Sequence, residues 1–431
     1  KEVCMKFSYG RVLLVGFGFL GISLIWPIFN QFIPIFLQAG NPEFERQLLA
    51  EGREIPQVAG FALAPSLALF IMTWDNLINI FVQPWVGERS DRTWNRFGRR
   101  KIWILLGLPI AMLGFIFVPI AQSVLAIAVF ILITNFGMAL FRSPTIAWLG
   151  DLFLPEDRSK ANGAINLMGG VGGLLAYLVG GMLFEQFGRS APFIAGAVAM
   201  VVALAVALIF VKEPAQIESQ AKNKEKSAGV LANLRTVFTN PDKSGLFILL
   251  SILLWFIAFY ALETALSSFA VFVLGITPGK ASIYSASITV SFLIFAIPAG
   301  MLATRIGRRL TIRIGLFGLI LVLLAGWFII QDAITFIAVL VIAGIFWAMV
   351  NVNSLPLVYD HGDERKIGAY TGLYYFASQT AAVLGPVMGG ILVDVLGDQY
   401  RYIWPFSVVF MALAFLTMLR VKERENPAPA L

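Results

Sequence analysis

The sequence predicts an all-α integral membrane protein made of two six-helix bundles, on three observations. Of its 431 residues 58% are hydrophobic and only 13% are charged, with a mean hydropathy of +0.82. Soluble domains run at about 45–50% apolar and about 25% charged, so this chain has too little polar surface for water and a bilayer is its natural solvent. The apolar residues gather into runs long enough to span, since a spanning helix needs about 20 of them. The loops that join these runs also repeat between the two halves of the chain.

Taken in order, the runs fall at 9–38, 59–86, 102–121, 124–152, 162–186 and 191–212, then at 245–274, 281–303, 310–330, 333–359, 367–396 and 402–420. Residues 1–212 thus form an N-terminal bundle and 245–431 a C-terminal one. Between them, 213–244 opens with EPAQIESQAKNKEKS, which is too charged to bury and reads as a cytoplasmic linker. The GVLANLRTVF that follows has apolar residues at helical spacing and predicts either a surface helix or an extension of the seventh run. The first run is too long for a signal-peptide core and is expected to be retained.

Basic residues give the orientation. Arg89, Arg92, Arg96, Arg99, Arg100 and Lys101 follow the second run; Arg158, Lys160, Arg305, Arg308, Arg309, Arg365, Lys366, Arg420, Lys422 and Arg424 lie on the same side. That side is expected to be cytoplasmic, with both termini there. A pI near 9.5 therefore reflects topology, and no nucleic-acid partner is expected. The link at 40–58 is expected to form a small cap on the opposite side. One cysteine, Cys4, and one histidine, His361, exclude an intramolecular disulfide and any metal site built from several of either. Cofactor, metal and nucleophile patterns are missing, a Walker A loop included, so neither an enzyme nor an ATP-driven pump is expected.

The repeat is legible residue by residue. Gly87 and Gly300 are 213 apart, as are Arg92 and Arg305, while Gly98 and Gly307 are 209 apart, so the first copy carries four extra residues. Asp151 and Asp360, also 209 apart, open a second pair of echoing links. A duplicated six-helix unit is the layout of a two-half carrier. Its glycines permit close helix packing. Asp91 with Arg92, Arg99, Arg100, Arg305 and Arg308 is expected to act as a cytoplasmic gate, making contacts in one state that break in the other.

The motif G-x-x-x-D-R at 87–92, followed by R-x-G-R-R-K at 96–101, resembles the signature loop of the major facilitator superfamily. The longer form QPWVGERSDRTWNRFGRRKIWI is similar to that of the sucrose–proton symporter branch, a neighbour of the glycoside–pentoside–hexuronide carriers, and FRSPTIAWLGDLFLPEDRSKANGAINLMGG resembles its bacterial members. The resemblance covers essentially the whole chain and implies the twelve-helix facilitator fold. It implies a sugar substrate, protons as co-substrate, a monomer and a bacterial inner-membrane (plasma-membrane) location. Departures accompany it. Thr304 stands where the first loop has Asp91. The cation-binding aspartates of melibiose-type carriers fall at Asn79 and Gln83, which speaks against sodium coupling there. The helix-4 arginine of plant sucrose carriers falls at Ile146, one turn from Arg142.

Ionisable residues inside a span are costly and mark function. Asp75 lies twelve residues before Gly87, about 18 Å deep, and Arg142 nine before Asp151, about 14 Å deep. Their similar depth suits a pair that protonation releases, with a permanent structural pair as the alternative. Glu263 in the seventh run is a further proton-carrying candidate, or else a carboxyl bonded to a neighbouring helix. Asp360 and His361 read as a surface cap. A sugar site needs aromatic faces and amides; the candidates are Asn30, Gln31, Asn79, Asn135, Tyr260, Trp347, Asn351, Tyr374 and Gln379. For any single aromatic, packing in the core or against lipid is the simpler account. The expected function is proton-coupled symport of a disaccharide or glycoside by alternating access, the alternative being export of amphipathic small molecules or lipids.

Overall fold

The structure, a computed structural model, describes residues 8–153, 157–213, 243–360 and 367–422. The linker with its apolar stretch, Cys4, His361, Arg365, Lys366 and Arg424 lie outside the described residues. Among the described residues, twelve helices are long and apolar enough to cross a membrane. Spans 1–6 are Tyr9–Gln38, Pro65–Arg92, Lys101–Ile120, Val124–Leu152, Ala161–Phe187 and Ala191–Phe210. Spans 7–12 are Ser244–Phe272, Pro278–Ile306, Arg308–Ile329, Ala333–Asp360, Tyr370–Val395 and Tyr400–Leu419. The all-helical prediction holds, with no β-strand among the described residues beyond a single bridge between Asn95 and Gly98.

The second run differs from its prediction. Residues 59–64 are not helical, and the span is two helices, Pro65–Ile71 and Trp74–Arg92, with a turn at Met72–Thr73 between them. The Phe70 carbonyl accepts from both the Thr73 backbone N–H at 2.9 Å and Thr73 Oγ1 at 2.7 Å, so it stays satisfied at the break. The link at 40–58 contains a nine-residue helix, Pro42–Ala50, whose N-cap Asn41 accepts from Glu43 N. Proline sits inside span 1 at positions 27 and 34 without interrupting the helix.

The chain divides into two compact units, Lys1–Lys222 with Ser267–Ala286, and Asn223–Leu266 with Ser287–Leu431. The first unit's largely aliphatic core holds an aromatic cluster: Phe32 stacks on Phe184 at 4.8 Å, and Phe115 meets Phe193 at the same separation. Span 5 lies close against span 1, where a Cβ on Gly172 would come within 2.7 Å of the Leu20 carbonyl; small residues permit such close approach of helices. The segment 267–286 is tied into the same unit. Gln38 Nε2 donates to Ser268 Oγ at 3.0 Å, Phe44 stacks on Phe272 at 4.6 Å, and Arg53 Nη1 donates to the Leu274 carbonyl at 3.0 Å. In the second unit, span 9 packs on spans 10 and 12, and span 10 on span 11.

Candidate functional site

Asp75 occupies the first turn of the helix Trp74–Arg92, just after the break. A helix N-terminus carries a partial positive charge, so the break places a stabilising dipole at this carboxyl in mid-span. Asn76 Nδ2 donates to Asp75 Oδ1 at 3.0 Å. The Arg142 charge is close enough to act on the same carboxyl. Its guanidinium carbon lies 5.7 Å from the centre of the Trp26 ring, within cation–π range. The unit therefore assembles Asp75, Asn76, Arg142 and Trp26 from spans 1, 2 and 4. Buried amide atoms of the same spans have no hydrogen-bond partner: Gln31 Oε1, Asn79 Oδ1, and both Oδ1 and Nδ2 of Asn135, a residue only 2% exposed. Asn30 is half-buried one residue before Gln31.

The second unit gathers the aromatic candidates. Phe259 stacks on Trp347 at 4.1 Å and 4°, Phe256 stacks on Tyr260 at 5.5 Å, and Phe256 meets Trp347 and Tyr374 edge-on at 5.7 and 6.2 Å. Tyr374 Oη lies 3.2 Å from Ser354 Oγ. Spans 7, 10 and 11 thus bring Tyr260, Trp347 and Tyr374 together, with Phe256 and Phe259 as further members. Glu263 is half-buried one helical turn from Tyr260, and Asn351 is half-buried on span 10. Asn353 has its amide used: Nδ2 donates to the Met349 carbonyl at 2.9 Å. Gln379 is exposed, five residues from Tyr374 on span 11.

At the arginine-loop end the first unit holds a dense network. Arg99 Nη2 donates to Asp151 Oδ1 at 2.6 Å, and Arg100 Nε to Asp151 Oδ2 at 2.8 Å. Arg100 also reaches Asp91 Oδ1 at 2.5 Å and donates to Ser90 Oγ. Burial alone would pull the Arg100 guanidinium down; the hydrogen bond and charge of Asp151, with Asp91 beside it, outweigh this and hold it above its usual value. Arg92 stands apart, paired with Glu88 at 2.6 Å on an open face. The four extra residues of this loop fold into a tight turn closed by Gly98 N donating to the Asn95 carbonyl at 3.0 Å. Gly87 sits beside Ser143 of span 4, 3.3 Å from where a Cβ would place itself.

Sequence reasoning missed Glu213. Its carboxylate accepts from the backbone N–H groups of Arg99, Arg100 and Lys101, and from Trp148 Nε1 at 2.9 Å. These are the orphan donors at the start of span 3, so Glu213 caps that helix from the far end of the bundle's chain. Gly98, at φ +117°, leaves room for it. A signal existed: V-K-E stands at 211–213 and again at 421–423, each closing a bundle, although Glu423 lies outside the described residues.

The second unit repeats the pattern in thinner form. Arg308 pairs with Asp360, which is the Arg99–Asp151 pair moved on by 209 at both ends. Gly307 has φ +88°, matching Gly98. Thr304, in place of Asp91, turns its hydroxyl back to the Met301 carbonyl, and Nε of Arg309, the counterpart of Arg100, is buried with no partner among the described residues. Arg305 is exposed.

A duplicated six-helix unit, a broken span with a carboxyl at the break and arginine loops at one end define a multi-pass membrane carrier. The chain belongs to the Major Facilitator Superfamily, whose family model matches residues 11–295 and 273–431. It is 26% identical over 421 residues to multidrug resistance protein 2 of Bacillus subtilis (strain 168), covering 96% of this chain and 94% of that one. It is 28% identical over 201 residues to proton-associated sugar transporter A of Mus musculus, over 42% of this chain but only 24% of that protein. Among solved structures it is similar to the nucleoside transporter NupG, with TM-score 0.70, 16% identity and coverage of 95% and 100%. It is also similar to a bacterial homologue of the human lysosomal transporter Spinster in an inward-facing, occupied conformation, with TM-score 0.66, 19% identity and coverage of 97% and 98%. These likenesses carry the fold, and the chain is a transporter of this superfamily.

Proposed function

We propose that the protein is a proton-coupled sugar symporter of the sucrose–proton symporter-like branch, working by alternating access in a bacterial plasma membrane as a monomer. The observation that carries this reading is Asp75, a carboxyl at a helix break in mid-span with the Arg142 charge acting on it. Such a carboxyl binds a proton in one state and the arginine's field in the other, so protonation and conformation are linked. Unpartnered amides on spans 1, 2 and 4 supply donors and acceptors for sugar hydroxyls. The aromatic group around Trp347 supplies flat faces for the C–H side of a pyranose. Glu263 is the second carboxyl of this scheme. The arginine loops, with Asp91, Asp151 and Arg308, form the cytoplasmic gate. The division into bundles 1–212 and 245–431 joined by 213–244 is part of the same proposal.

The full-length similarity to a multidrug resistance protein favours a second reading, export of amphipathic small molecules. One experiment separates them. In proteoliposomes, a panel of mono- and disaccharides is offered as an inward gradient while internal pH is followed. Symport acidifies the lumen with at least one sugar. If no sugar moves protons and a pH gradient instead drives efflux of an amphipathic dye, the exporter reading replaces it.

A further inference from the structure

At the end of the first unit opposite the arginine loops lies a cavity of about 460 Å³. It is lined by the stretch of chain at 54–59, the link between spans 5 and 6, and the turn before span 8; Glu54, Gln57, Phe184, Glu185, Arg189 and Thr277 are on its wall. Arg189 is the residue without an obvious employment. Its guanidinium carbon lies 4.2 Å from the centre of the Phe36 ring. Nη1 donates to the Ala59 carbonyl at 3.2 Å. Among the described residues, Nε and Nη2 are buried with no acceptor and the guanidinium has no ion pair. Burial also pulls the guanidinium below its usual value, the response of a charge that has lost water and gained no counter-charge. The hydroxyl of Thr277, on the same wall, is likewise buried and unpartnered. Of the two carboxylates on the wall, Glu185 accepts from the backbone N–H of Lys280 at 3.2 Å through Oε1, and among the described residues neither it nor Glu54 forms an ion pair with Arg189.

Buried polar groups in folded proteins are nearly always satisfied, so two orphan donors on one arginine and an orphan hydroxyl beside a cavity need a partner. Arginine's planar fork matches an oxyanion, and Nε with Nη2 is the edge that takes two oxygens at once. We propose that this cavity is an oxyanion site, in which a phosphate or carboxylate group is held by the Nε–Nη2 edge of Arg189 and the hydroxyl of Thr277. Arg189 and Thr277 both line the cavity. The site lies where spans 5 and 6 give way to their connecting link, at the depth of a lipid headgroup, and it is also open to a free anion. It is independent of the sugar reading and does not involve Asp75.

The test uses the full chain purified in lipid-free detergent. It is titrated calorimetrically with inorganic phosphate, and separately with short-chain phosphatidylglycerol. Saturable binding of phosphate that Arg189→Gln weakens by about tenfold or more assigns the site to a free anion. Binding of phosphatidylglycerol alone, lost in the same variant, assigns it to a lipid headgroup. Arg189→Lys keeps the charge but not the fork, and is expected to recover only part of the affinity; Thr277→Val is expected to lose less than Arg189→Gln. If wild type binds neither probe, or if Arg189→Gln binds as wild type does, the proposal is overturned. Should Arg189→Gln fail to fold, Arg189→Lys and Thr277→Val decide the matter by the same comparison.

Discussion

Asp75 and Asn135 put opposite demands on the protein, and the difference can be measured. Asp75 is half-buried, hydrogen-bonded by Asn76 and under the field of Arg142. Replacing it with asparagine keeps the shape and removes the proton. Sugar-driven proton uptake should fall at least about tenfold, equivalent to ~1.4 kcal/mol, while sugar counterflow, which needs no net proton movement, persists. Full coupling in Asp75→Asn would falsify its role. Asn135 has both amide atoms buried and unpaired. Such groups cost about 1–3 kcal/mol each, and an apolar side chain of similar size avoids the cost. Asn135→Leu should therefore leave the thermal unfolding midpoint unchanged or raise it, yet weaken sugar binding in a direct titration. A destabilised variant with normal affinity would show the amide to be structural. Both residues were legible in the sequence, because a charge or amide inside an apolar run stands out. Arg189 was not: at the end of a span, an arginine looks like an anchor in headgroup water, and only its surroundings reveal the missing acceptors.

The elements themselves were legible to within a few residues, since each span needs about 20 apolar residues and the chain has polar links between them. The break in span 2 was not. L-F-I-M-T-W-D-N-L contains no glycine or proline, so nothing local announces a turn at Met72–Thr73. The cap on span 3 was hidden for a related reason. Glu213 opens a charged linker, where a carboxylate looks solvated, and its three backbone partners are more than a hundred residues away. Its three backbone donors and the Trp148 indole make it a structural acid. Charge-assisted hydrogen bonds contribute about 1.5–3 kcal/mol each, less where water shares them. Glu213→Gln should lower stability by about 1–3 kcal/mol, read as a drop of several degrees in a thermal unfolding scan. Gly98→Ala should do similar damage by a different route. Its φ of +117° is unfavourable for any residue with a Cβ, and that Cβ would meet the Glu213 carboxylate. Because both act on one contact, the double variant should fall short of the sum of the two losses. Simple additivity would mean that Gly98 is needed only for the turn.

Across the whole molecule, the duplication explains what the second unit lacks as well as what it shares. The offset of 209 carries Gly98 onto Gly307, Arg99 onto Arg308 and Asp151 onto Asp360, and the positive φ and the ion pair are found again at the second set. The offset of 213 carries Asp91 onto Thr304. In the first unit Asp91 lies 2.5 Å from the buried Arg100; in the second, Thr304 bonds its own helix and Nε of Arg309 has no partner among the described residues. The asymmetry makes a reciprocal prediction. Thr304→Asp supplies the missing acceptor, and because the position is exposed and screened by solvent the gain should be at most about 1 kcal/mol. Asp91→Thr should cost more, since Arg100 is 5% exposed and would lose one of its two carboxylates while remaining buried. Thermal unfolding of the two single variants checks the signs, and transport checks the gate. If ion pairs at these loops hold one conformation, strengthening the second loop should slow sugar counterflow, whereas weakening the first should alter the balance of conformations without abolishing binding. Equal and opposite stability changes would mean that the two loops are interchangeable. A larger loss from Asp91→Thr than gain from Thr304→Asp is the outcome that two diverged copies of one unit require.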